Sequence, residues 1–304
     1  MKHTALALVA ALALLAACGD TSSDADAGAD AAEPNLAGPE APERIVSLSP
    51  SATEMLFAIG AGDQVVAVDS MSNFPAEAPV TDLSAYEPNL EAIASHDPDL
   101  VVVDGTDAEL MDGLEAIDIE VFEAPAPASL DDIYAQIEDL GAATGHAEEA
   151  DRLTADMAAD IEATLEKVPE RDEPLTYYHE LDDTLYSVTS ETFLGNLYAL
   201  AGLENVADAA DPDGANGGYP QLSAEYLVDA DPDLVFLADA KCCGQSAATF
   251  AARPGFGGLS AVADGDVILL DDDVASRWGP RVVDLLAQIV DAVVAADSAG
   301  AAAA

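Results

Sequence analysis

Lys241-Cys242-Cys243-Gly244-Gln245 is the stretch of this 304-residue chain with the most reactive chemistry. Adjacent cysteines offer three uses: a vicinal disulfide, two free thiols, or two soft-metal ligands. Neighbouring Cα atoms lie ~3.8 Å apart, closer than the ~4.4–6.8 Å usual across a disulfide, so a bridge here would stiffen the loop. The expectation is a vicinal disulfide between Cys242 and Cys243. Cations gather nearby. Lys241, Arg253, Arg277 and Arg281 are four of the eight basic residues after Ala17. An arginine fork suits a carboxylate or hydroxamate, so the cluster suggests an anionic ligand; its competing use is pairing with Asp271, Asp272 and Asp273. Lys241 and Arg277 are the candidate contacts. Aromatic residues are only 5% of the chain, and Tyr86, Tyr219 and the single Trp278 are candidate partners for a flat ring. Ser49 and Pro50 stand just before a helix, whose first N–H groups favour an anion.

Catalytic signatures are missing. The chain has no Gly-x-x-x-x-Gly-Lys-Ser/Thr phosphate loop and no Gly-x-Ser-x-Gly elbow. After the first 17 residues the histidines are His96, His146 and His179, none spaced as a zinc pair. No catalytic residue, cofactor or protein-held metal is expected.

The balance of 59 acidic to 9 basic residues gives a formal net charge of −50. Half of the residues are hydrophobic and mean hydropathy is +0.17, so the chain can still build a core with its charge on the surface. No basic face is left for nucleic acid, nor a polybasic patch for anionic lipid. An Asp-rich, Lys-poor surface suits concentrated salt, where screening relieves self-repulsion; a halophilic source is expected.

These residues need a scaffold, and the order of elements supplies one. Met1-Lys2-His3 and the Ala/Leu run from Thr4 to Ala17 read as an export signal, too short for a stable transmembrane helix. It ends in Leu15-Ala16-Ala17-Cys18-Gly19, which resembles a bacterial lipobox and makes Cys18 the expected lipidation site. From Arg44 onward short apolar strands alternate with helices, as in a parallel α/β fold. Ser51-Ala52-Thr53-Glu54 has the capping-box pattern for a helix over Glu54 to Ile59. The segment Asn89 to Val103 recurs as Gln221 to Leu237, sharing Asp-Pro-Asp-Leu-Val, which suggests two similar lobes. Between them Ile133, Ile137, Leu140, Leu153, Met157, Ile161 and Leu165 recur at helical spacing, with one helix over about Ala147 to Lys167. The expected layout is a signal over 1–17, an acidic tether over 18–41, an N-terminal lobe over 42–130, a helical linker over 131–168, a C-terminal lobe over 169–297 and a disordered tail over 298–304. The fold class is α/β: two Rossmann-like lobes with parallel sheets joined by one long rigid helix. The ligand belongs between them.

Pro42 to Glu54, Leu83 to Glu91, the two Asp-Pro-Asp-Leu-Val turns and Ser276-Arg277-Trp278-Gly279-Pro280-Arg281 together resemble the substrate-binding proteins of iron-chelate and vitamin B12 ABC importers. The resemblance implies a monomeric, lipid-anchored protein outside the cell membrane. It would close on a small-molecule metal chelate and deliver it to an ABC permease and its ATPase, without covalent chemistry. A ferric siderophore is the first expected ligand and cobalamin the second. The resemblance also implies an acidic docking residue on each lobe, Glu109 being the match on the first. Readings from other classes are an extracytoplasmic metal or redox enzyme using Cys242 and Cys243, and a sensory lobe pair feeding a receptor.

The charge pattern makes a direct prediction. Added salt shortens the screening length from about 10 Å at 0.1 M to about 3 Å at 1 M, so Tm should rise by several degrees in molar NaCl. A scanning melt showing a flat or falling Tm contradicts salt adaptation.

Overall fold

The computed structural model describes residues 41–105 and 107–303. The expectations placed on residues 1–40, Cys18 among them, lie outside the described residues. Two four-stranded sheets form. The first contains β1 (Ile45–Ser47), β2 (Val65–Val68), β3 (Leu100–Val103) and β4 (Glu120–Glu123), in the order β2-β1-β3-β4. The second contains β5 (Thr176–Glu180), β6 (Glu204–Asn205), β7 (Leu234–Leu237) and β8 (Val267–Leu269), in the order β6-β5-β7-β8. All pairings within them are parallel. The two lobes therefore share one topology.

The repeated Asp-Pro-Asp turns explain part of this likeness. Asp97 and Asp231 both adopt a left-handed backbone, with φ of 48° and 42°, a conformation that Asp tolerates better than most residues. The second aspartate of each turn then caps the start of the neighbouring strand. Asp99 accepts from Arg44 N at 2.9 Å, and Asp233 accepts from Thr176 N at 2.8 Å. The same three-residue signal thus sets the β1–β3 register and the β5–β7 register.

Strand alternation splits the apolar residues between two layers. Ile45, Leu100 and Val102 join Tyr177, Leu234 and Phe236 in one cluster that runs through both lobes. The intervening residues Val46, Val101 and Val103 fill a separate cluster of the first lobe, and Tyr178, Val235 and Leu237 one of the second. The shared cluster also takes Ile133 and Ile137 from the helix Leu130–Thr144, Met157 and Ile161 from the helix Ala147–Leu165, and Leu285 and Ile289 from the final helix. These helices pack on one another, so the 19-residue helix Ala147–Leu165 is part of a common core and not a bare strut.

Two local expectations change. The first helix spans Pro50–Ala58, and its cap is Ser49, whose side chain accepts from Ala52 N. Proline tolerates the first helical turn because its missing N–H has no partner there, so the cap falls two residues before Ser51. Glu54 is therefore not a capping residue. The final helix spans Val282–Ala303, through the region expected to be a disordered tail; an alanine-rich end has the highest helix propensity.

The carboxyl end of the second sheet carries a buried charged cluster. Glu180 ends β5 and is fully buried, paired with Arg253 at 2.6 and 2.7 Å. Arg253 also lies over the Phe250 ring, 5.1 Å from its centroid. Asp239, just beyond β7, is fully buried, and neither of its carboxylate oxygens has a hydrogen-bond partner. Burial first, and the Glu180 charge second, push its carboxyl up to about 7. The folded protein then keeps a proton that the unfolded chain releases above about pH 4. The stability this contributes is full below that pH and is lost as pH rises through about 7. Asp239→Asn should therefore stabilise the protein at pH 8 by about 1–3 kcal/mol and change little at pH 4. Urea unfolding at the two pH values checks this, and equal effects at both contradict it.

Candidate ligand cleft between the lobes

A cleft of about 610 Å³ opens at the carboxyl ends of the first sheet. Its first-lobe wall follows from strand geometry: Leu48 to Ser51 follow β1, Asp69 follows β2 and Asp104 follows β3. Met71, Tyr86 and Asp107 complete that wall, while Asp273, Ser276, Arg277 and Trp278 come from the second lobe. A parallel α/β sheet binds ligands at this edge because its loops and helix N-termini converge there.

The structure brings Ser49, Pro50, Tyr86, Arg277 and Trp278 to this one cleft. Tyr86 is 86% exposed, and a turn in which Ser84 Oγ accepts from Tyr86 N at 3.2 Å shapes its loop. Tyr219 and Lys241 do not line it. Tyr219 is half exposed elsewhere. Lys241 stands behind the wall, pairing with Asp273 and lying 4.0 Å from Asp271.

The basic cluster does not make an open anion seat, which corrects the expectation drawn from its density. Each cation is taken by a carboxylate. The main acceptor is Glu54, only 3% exposed. Arg277 Nη1 donates to Glu54 Oε1 at 3.0 Å, Arg281 Nε to Oε2 at 2.9 Å and Arg281 Nη2 to Oε1 at 2.5 Å. Arg277 Nη2 donates further to Met71 O, Asn73 Oδ1 and Asp273 Oδ1, at 2.9 to 3.0 Å. The Arg281 guanidinium lies over the Phe74 ring, 4.1 Å from its centroid. Trp278 N donates to Ser51 Oγ at 3.1 Å. The second-lobe segment is thereby fastened to the first lobe. Gly279 is needed for the approach: a Cβ there would meet Glu54 Oε2 at 2.9 Å.

What remains facing the cleft is acidic. Burial pushes the Asp69 carboxyl up, against hydrogen bonds from Ser72 and the charge of Arg277. Burial acts the same way on Asp273, but Lys241 and Arg277 together outweigh it and hold that carboxyl low. The sequence did not mark Asp69, Asp104 or Asp107 as cleft residues, and it placed Ser276 only in the loop that resembles the family's, where the structure makes it part of the cleft wall. The first two were findable as the residues that end β2 and β3. Glu54 carried only a capping-box signal, because its actual partners lie 223 and 227 positions away.

Among the described residues no group of three or more His, Cys, Asp or Glu converges as metal ligands, and no helix is long and apolar enough to cross a membrane. Cys242 and Cys243 are joined in a disulfide within the short helix Ala240–Cys243.

The family model described as "Periplasmic binding protein" matches residues 45–274, spanning both sheets and the first-lobe wall of the cleft. This chain belongs to that family. As a periplasmic binding protein it is the extracytoplasmic solute-binding component of an ABC transporter. It is 28% identical to the uncharacterized ABC transporter substrate-binding lipoprotein YvrC of Bacillus subtilis, over 94% of this chain and 95% of YvrC. It is 31% identical to a cobalamin-binding protein of Halobacterium salinarum, over 83% of this chain and 69% of that one. Among solved structures, the periplasmic heme-binding protein RhuT of Roseiflexus sp. RS-1 superposes with a TM-score of 0.72 at 26% identity, covering 84% of this chain and 98% of RhuT.

The interlobe pairing of this binding protein predicts a large mutational effect. Breaking a buried ion pair from one side costs about 3–5 kcal/mol, because the partner charge is left uncompensated. Glu54→Gln keeps the shape and removes the charge, so chemical denaturation should show a loss of about 3–5 kcal/mol. A loss below about 1 kcal/mol, typical of an exposed pair, contradicts the role given to Glu54.

Proposed function

We infer that this protein captures a corrinoid of the vitamin B12 class and delivers it to an ABC permease and its ATPase. It acts as a monomer tethered to the cell membrane by a lipid on Cys18. The observation that carries this reading is the charge of the cleft. Its cations are paired with Glu54 and Asp273, while Asp69, Asp104 and Asp107 also line it. A corrin ring bears amide side chains and is neutral or cationic overall, so its N–H groups suit carboxylate acceptors. The flat ring suits Tyr86 on one side and Trp278 on the other. The name of the Halobacterium salinarum relative supports the same ligand class.

A ferric siderophore, expected from the basic cluster, loses that support because those cations are held by Glu54, Glu180 and Asp273, and a trianionic or carboxylate-rich chelate would meet a wall lined by aspartates. Binding proceeds by enclosure without covalent chemistry. Glu109, exposed in the first turn of the helix Ala108–Glu115, is proposed to dock on the permease from the first lobe.

Trp278 is the only tryptophan of the chain and lines the cleft, so its fluorescence reports binding directly. Titration with cyanocobalamin should quench it with a Kd in the micromolar range or tighter, roughly −8 kcal/mol or better. Ferric siderophores and hemin should bind at least about tenfold more weakly. Binding of a ferric siderophore without binding of cyanocobalamin reverses the assignment; binding of neither contradicts it.

A further inference from the structure

The disulfide between Cys242 and Cys243 is not needed to hold the fold, since it closes no loop between distant parts of the chain. It lies exposed on the surface, within the helix Ala240–Cys243. That helix is short, and the residue at its N-cap, Asp239, makes no side-chain cap. The cap comes from the cleft-bearing segment instead. Asp272 Oδ1 accepts from Lys241 N at 2.9 Å, and Asp272 Oδ2 accepts from Cys242 N at 2.5 Å. Lys241 Nζ then pairs with Asp273, which accepts from Arg277 Nη2 at 3.0 Å. Asp273 and Arg277 line the cleft. Three consecutive residues, Lys241 to Cys243, therefore connect an exposed S–S bond to the cleft wall through two neighbouring aspartates.

We propose that the Cys242–Cys243 disulfide positions the Asp273–Arg277 wall of the cleft, and that its reduction by an extracytoplasmic dithiol weakens ligand binding. The S–S bond closes an eight-membered ring containing the Cys242–Cys243 peptide. That ring fixes the backbone dihedrals between the two residues and so the direction of Cys242 N and of the Lys241 side chain. Reduction consumes two electrons and two protons. The S–S bond breaks, two thiols form, and the dithiol donor closes to its own disulfide. The peptide regains its rotations, Asp272 loses its paired N–H donors, and Lys241 is no longer held against Asp273. Asp273 keeps Arg277 but loses the cation behind it, so the wall loosens where the ligand meets it. The solvent exposure of both cysteines gives a reductant direct access.

This inference rests on the cleft being the ligand site, and its test separates the two claims. The whole protein is reduced with dithiothreitol and desalted without oxygen. Uptake of two iodoacetamide groups in a parallel sample confirms reduction. Cyanocobalamin is then titrated against the oxidised and reduced forms by Trp278 fluorescence. The reduced form should bind about tenfold more weakly, the effect of losing one charge-assisted hydrogen bond, and reoxidation should restore the affinity. Cys242→Ser/Cys243→Ser should bind like the reduced form and ignore dithiothreitol. Hydrogen exchange over residues 271–278 without ligand gives a second readout, and it should accelerate on reduction. If oxidised protein fails to bind cyanocobalamin, the ligand assignment fails, and exchange alone decides the redox inference. Equal affinity of oxidised and fully reduced protein, or unchanged exchange at 271–278, overturns it.

Discussion

Glu54 is a carboxylate removed from water in the middle of a chain with a surplus of acid, and the two arginines that satisfy it come from the far end of the sequence. A buried carboxylate without such partners would carry a desolvation penalty of several kcal/mol. The pairing therefore requires Arg277 and Arg281 to reach across from the second lobe, and Gly279 to leave room for them. Once they do, Trp278 is delivered against Ser51, Arg277 spans Met71, Asn73 and Asp273, and the cleft acquires its second wall. The helices Leu130–Thr144, Ala147–Leu165 and Val282–Ala303 bring the lobes together through a shared apolar core. Glu54 fixes how the segment at the cleft meets the first lobe.

The same pairing determines the chemistry of the site. A count of charges would place an anion beside the four second-lobe cations. The structure assigns those cations to internal partners: Arg253 to Glu180, Arg277 and Arg281 to Glu54, and Lys241 to Asp273. Scarce positive charge in an acidic protein is the charge most readily captured by its own carboxylates. The acid shell suits concentrated salt, and the relationship to a Halobacterium salinarum protein agrees with it. In the cleft, the same excess leaves aspartates along the wall.

Much of the fold was legible because it is written in short-range patterns. The alternation of apolar strands and helices, the repeated Asp-Pro-Asp turn and the three- and four-residue spacing of Ile133 to Leu165 each act locally, and each formed the kind of element it predicted. The Asp-Pro-Asp repeat was more informative than expected, since it encodes both the left-handed turn and the strand cap in each lobe. Of the residues expected to meet a ligand, Ser49, Pro50, Tyr86, Arg277 and Trp278 come together in the candidate cleft, as their place beside strand ends and loops suggested. The role of Glu54 was not legible: a Ser-x-x-Glu spacing looks like a capping box whether or not the glutamate turns back to the cap. Lys241 was misplaced for a related reason, because proximity in sequence to Arg277 does not tell which aspartate each cation will choose.

The central claim is that the cleft selects against negative charge because its cations are already paired. The most direct measurement compares two ligands that share one ring and differ by one charge: cyanocobalamin and its monocarboxylate, in which a single side-chain amide is hydrolysed. Two like charges about 8 Å apart repel by about 2 kcal/mol at an effective dielectric near 20, more than a tenfold change in affinity. Calorimetric titration at low salt should show the monocarboxylate binding at least about tenfold more weakly, with the gap narrowing as salt is added. Equal or tighter binding of the monocarboxylate would mean that a free cation faces the ligand, and would contradict the account.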